Sequence, residues 1–142
     1  MKFTRCVLAI AAALALGAPA DEIAGTWKTV MIEAGPHGYP RMAYEPLLEF
    51  KVDGNRLTGV AKLTQWPGSA PISDGKVDGS RITFTVIHKM PYGTRGGTFY
   101  PKFRCDGIVH GAEMSLTMFS VPFDGTEVES EKWVLKGTKY LK

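Results

Sequence analysis

Cysteine is scarce in this 142-residue chain, with two in all, Cys6 and Cys105. Cys6 lies in an N-terminal stretch that reads as a removable leader. The folded product then keeps one cysteine, and one cysteine makes no internal disulfide. The fold must stand on its apolar core, and Cys105 reads as a small buried apolar residue rather than a reactive thiol. An excess of one charge is also missing. Loss of Lys2 and Arg5 with the leader leaves 15 basic against 14 acidic residues, a balance that excludes a dedicated nucleic-acid binder. No apolar run reaches the roughly 20 residues of a membrane-spanning helix. Helical periodicity is nearly absent after Asp21. The chain has no Gly-x-Ser-x-Gly or Ser-His-Asp pattern. His37, His88 and His110 are too far apart for metal-ligand spacing. No catalytic residue, metal or cofactor is therefore expected.

The N-terminus runs MKFTR, then CVLAIAAALAL, then GAPA. A basic start, a short apolar stretch and an Ala-x-Ala site at Ala18-Pro19-Ala20 predict a signal peptide over 1–20, cut after Ala20. Cys6 precedes the apolar stretch, too early for an acylated lipoprotein cysteine. The expected product is one β-barrel domain, 21–142, in the periplasm or secreted.

What the chain has in quantity is turn residues, with 16 Gly and 9 Pro, and period-two alternation between them. One pattern recurs three times. Val52-Asp53-Gly54-Asn55-Arg56-Leu57-Thr58 returns as Val77-Asp78-Gly79-Ser80-Arg81-Ile82-Thr83, and more loosely as Val109-His110-Gly111-Ala112-Glu113-Met114-Ser115. Each copy is a strand end, a turn built on Gly and a β-rich strand, with Gly supplying the positive φ of a tight hairpin. Asp74 and Asp106, each before a Gly, read as bulge or turn residues. His110 occupies the turn position held by Asp53 and Asp78.

Reading outward from these turns predicts eight strands, near 23–33, 47–52, 57–63, 71–77, 82–89, 98–109, 114–121 and 129–138. Short turns alternate with long Gly- and Pro-containing connections near 34–46, 64–70, 90–97 and 122–128. In an up-and-down meander alternate connections lie at opposite ends, so the long ones share an end. Parity gives each strand one apolar face. Ile82, Phe84, Val86 and His88 oppose Arg81, Thr83, Thr85 and Lys89; Met114, Leu116 and Met118 oppose Ser115 and Thr117. The expected fold is all-β, an eight-stranded antiparallel up-and-down barrel. A two-sheet sandwich shares the parity, but closure removes exposed edges.

Gly25-Thr26-Trp27 opens the first strand. A Gly-x-Trp there, followed by an eight-strand meander, resembles the lipocalin and fatty-acid-binding (calycin) superfamily. The resemblance implies that Trp27 plugs the closed end and that a basic residue of the last strand, Lys139 or Lys136, packs over the indole. The stretch Pro71 to Gly79 with Ile82-Thr83-Phe84-Thr85-Val86, and Phe50 to Gly59 before it, resembles a family of small exported bacterial barrels found near polysaccharide-degrading functions. That resemblance implies fold and export and assigns no activity. Gly25-Thr26-Trp27 with Tyr39-Pro40 also resembles nitrobindin-like haem barrels. Those need a His on a late strand, and 129–139 has none, so haem is not expected.

The long-loop end gathers aromatics and bases, from which His88, Tyr44, Trp66, Tyr92, Tyr100 and Arg104 are the candidate ligand contacts. Three readings stay open. The first is a binding module for a small hydrophobic, aromatic or glycan ligand. The second is a filled structural barrel that presents its loops to a protein partner. The third is an enzyme using His88. Expected partners are a small molecule or glycan, with no nucleic acid and no membrane span.

Overall fold

The computed structural model describes residues 20–33, 45–63, 68–91, 96–121 and 132–140. The expected leader, 1–20, lies outside these except for Ala20. One helical turn, α1 (Ala20–Ile23), precedes ten strands: β1 (Gly25–Glu33), β2 (Leu47–Asp53), β3 (Arg56–Lys62), β4 (Ser69–Asp78), β5 (Arg81–Ile87), β6 (Met90–Pro91), β7 (Thr98–Phe99), β8 (Lys102–His110), β9 (Glu113–Val121) and β10 (Lys132–Lys139). Eight of them close into a barrel in the order β1-β10-β9-β8-β5-β4-β3-β2, with every neighbouring pair antiparallel. The fold is the expected all-β, eight-stranded up-and-down barrel, and among the described residues no helix is long and apolar enough to cross a membrane.

Several strand ends shift by one or two residues from the sequence reading, and at two boundaries the element itself differs. Ile23 ends the helical turn instead of starting β1. The strand expected over 98–109 is two: Thr98 and Phe99 pair with Pro91 and Met90 in a separate two-stranded ladder. The barrel resumes at Lys102, after the His88 amide donates to the Pro101 carbonyl at 3.0 Å. Pro101 has no N–H to return to the ladder, which is why pairing breaks there.

The threefold repeat is a closure device at the short-turn end. Gly54, Gly79 and Gly111 hold φ of 61°, 59° and 58° at the first position of two-residue turns, the position where a type II′ hairpin requires Gly. The residue after each glycine then points its carbonyl at the next strand pair. Asn55 accepts from the Val77 amide at 2.8 Å, Ser80 from Val109 at 2.8 Å, and Ala112 from Lys139 at 2.9 Å. The fourth residue of one copy thus holds the first residue of the next. A last bond, Tyr140 amide to Thr26 carbonyl at 2.9 Å, ties β10 to β1. These bonds satisfy backbone groups where strands lack a connecting turn.

Alternation fills the interior from this end upward. Trp27, Leu57, Ile82, Val109, Leu116, Leu135, Leu48 and Met118 are at most 1% exposed. Phe84, also buried, meets Phe50 edge to face with ring centroids 5.4 Å apart. Close approach needs glycine at β3. A Cβ on Gly59, φ 147°, would sit 1.8 Å from the Glu49 carbonyl oxygen. Asp74 adopts φ 52° where the β4–β5 register slips between Ser73 and Lys76. It is the bulge residue that its place before Gly75 predicted. Asp106 is not: it keeps regular register with Thr83 and Thr117 and accepts from Arg81 Nε at 3.0 Å.

Candidate functional site at the open end

The two ends of the barrel are chemically different. At the closed end the Trp27 indole Nε1 donates to the Ile23 carbonyl at 2.8 Å. Lys139 Nζ donates to the Glu22 carbonyl at 3.0 Å and lies 5.8 Å from the Trp27 ring centroid. Trp27 is fully buried beneath α1. Lys136 points outward to Glu113, 3.3 Å away, so Lys139 is the cation beside the indole. This end is sealed by groups that use one another's polar atoms.

The opposite end is where β1, β3, β5 and β9 finish and β2, β4, β8 and β10 begin. His88 follows β5 and keeps its inward parity, after Ile82, Phe84 and Val86, all buried. Phe103 and Trp133, each the second residue of its strand, point inward with it. The rings form one run: His88 to Phe103 with centroids at 6.1 Å and 64° between planes, then Phe103 to Trp133 at 6.0 Å and 72°. Edge-to-face geometry is what the ring quadrupoles favour. The neighbouring wall is low. Ala61 of β3 pairs with Ala70 of β4, and both face inward.

His88 is 6% exposed. Burial alone pushes its pKa down to about 4, because an apolar lumen disfavours the imidazolium. At neutral pH it is an uncharged imidazole, with one nitrogen that donates and one that accepts. Phe103 and Trp133 are partly exposed and pack on the buried core below. The arrangement sets two partly exposed rings and one neutral imidazole above a floor of buried Phe84, Val86 and Met118. Among the described residues no cluster of three or more His, Cys, Asp or Glu could hold a metal ion, and no buried side-chain polar atom lacks a partner.

The candidates named from sequence separate. His88 is in the lumen. Tyr100 is half exposed at the rim, before β8. Arg104 is a correction: with Phe103 and Cys105 facing in, it falls on the outer wall, its guanidinium 5.7 Å from the Phe119 ring centroid. Tyr44, Trp66 and Tyr92 lie outside the described residues. Phe103 and Trp133 belong beside His88 and were not among the candidates. The parity of Phe103 with Cys105, and of Trp133 with Leu135, is the signal that finds them. Compared with known proteins, the chain matches no family model, no curated protein and no solved structure.

Proposed function

We propose that this protein is an exported binding module whose open end takes one small uncharged ligand, hydrophobic or aromatic, or a sugar ring stacked on an aromatic face. The observation that carries the reading is the contrast within the lumen. The inward side chains from Trp27 to Phe84 are buried, whereas Phe103 and Trp133 stay partly exposed next to a neutral, buried His88. Rings with one placed polar group are the usual composition of a small-molecule site, and an eight-stranded barrel has room for one such ligand. The uncharged imidazole favours a neutral hydrogen-bonding group over an ion. The leader motif at 1–20 and the resemblance to small exported calycin-like barrels support export to the periplasm or medium.

The solid lower lumen favours one competing reading, a structural barrel that presents its loop end to a partner protein. An enzyme is the weakest of the three, since a histidine with a pKa of about 4 is a poor general base at neutral pH. Native mass spectrometry of the protein taken from its own periplasm or medium separates them. A retained molecule that is lost in Phe103→Ala and kept in Lys51→Gln supports binding. A bare protein mass, with no enhancement of an apolar-site fluorophore such as anilinonaphthalene sulfonate, rejects it in favour of the filled barrel.

A further inference from the structure

The outer wall around this same rim carries a feature that the lumen does not use. Outward positions at the open end of β5, β8 and β10 are Ile87, Lys102, Arg104 and Lys132, and Lys89 and Tyr100 flank them in the chain. The register puts Ile87 beside Lys102, and sets Thr85, Arg104, Phe119 and Lys132 in one row across four strands. At about 4.8 Å per strand, Arg104 and Lys132 stand about 10 Å apart on the wall. All four cations are exposed. Ile87 is 44% and Tyr100 50% exposed, apolar groups projecting between charges. On this wall Asp106, two residues below Arg104, is held by Arg81. The connection from β9 to β10 carries Asp124, Glu127, Glu129 and Glu131, outside the described residues.

We propose that this rim is a docking surface for an anionic phospholipid bilayer, which would bring the open end of the barrel against the membrane. Cations alone would suit any polyanion. The exposed Ile87 decides among them, because an aliphatic tip among lysines matches the headgroup–acyl boundary and gives an acidic polysaccharide nothing to bind, and the Tyr100 phenol beside it suits the same boundary. The proposal is independent of whether the lumen holds a ligand.

Co-sedimentation of the full chain with vesicles tests it. The protein binds vesicles of mixed phosphatidylcholine and phosphatidylglycerol, releases them as salt rises, and does not bind phosphatidylcholine alone. Each cation near such a surface contributes about five-fold to partitioning, so the double variant Lys102→Gln, Lys132→Gln loses about 25-fold. Ile87→Ser weakens binding with the charges intact. The control Lys51→Gln, Lys76→Gln, made at the closed end with the same change in net charge, leaves binding unchanged. The proposal is overturned if the wild type ignores the anionic vesicles, if the control loses as much as the rim variant, or if a soluble polyuronate is bound in place of the vesicles.

Discussion

Burying His88 as a neutral ring makes the stability of this barrel depend on pH in a calculable window. Its pKa falls from the ordinary 6.5 to about 4 in the folded chain, while the unfolded chain keeps the ordinary value. Between those limits the unfolded state binds one proton that the folded state refuses. The stability from this group is therefore whole above pH 6.5 and is lost as pH falls toward 4. The slope is about 1.4 kcal/mol per pH unit, and across the window the loss reaches about 3 kcal/mol. Against the ~5–15 kcal/mol total of an ordinary domain, that is a large fraction. Carboxylates titrate in the same range, so the informative quantity is a difference. Urea unfolding at a series of pH values, run on the wild type and on His88→Leu, isolates it. The wild-type midpoint falls more steeply with acidity, and the gap between the curves closes or reverses toward pH 4. Parallel curves would refute the claim that His88 is held neutral by burial.

Other outcomes follow from the same geometry. Gly79→Ala forces a Cβ onto a positive-φ turn position that is otherwise open, and costs more than about 1 kcal/mol. Gly59→Ala drives a Cβ into the Glu49 carbonyl, so it costs several times more, or prevents folding, in the same urea assay. Lys139→Met keeps the aliphatic stem but removes the ammonium from the Glu22 carbonyl and the Trp27 ring, for a loss of about 1–2 kcal/mol. Cys105 is 2% exposed and burial raises its pKa. In a Cys6→Ser background a thiol reagent therefore modifies it at the rate of barrel opening, accelerating with denaturant; prompt modification of the native protein would contradict that placement.

The barrel was legible because its local signals agree. A glycine every hairpin, alternation along each strand and a Trp at the start all specify one topology. Parity placed Ile82, Phe84, Val86 and His88 on one face, and they are buried together. What the repeat does was not legible. That Asn55, Ser80 and Ala112 bridge to the next strand pair is a relation between segments up to 29 residues apart, and no local pattern carries it. Pairing also breaks at Pro101, which has no N–H to give the ladder, and the two short strands before it pair with each other apart from the barrel. In the candidate site, composition grouped residues by loop and overlooked which way each one points. Arg104 joined the group through its charge, although its neighbours Phe103 and Cys105 already fix it outward. Phe103 and Trp133 escape that grouping, since an inward aromatic near a strand start reads the same whether it fills the barrel or lines its mouth.

Two indoles at opposite ends give the most direct test of the open-end site. The Trp27 Nε1–H is committed to the Ile23 carbonyl at 2.8 Å beneath the closed end, and Trp133 stands beside Phe103 at the mouth. In nitrogen–proton correlation spectra, titration with the molecule recovered by native mass spectrometry should move the Trp133 indole signal and the amides of His88 and Phe103, leaving the Trp27 indole signal in place. Movement of the Trp27 signal with Trp133 unmoved would contradict the account.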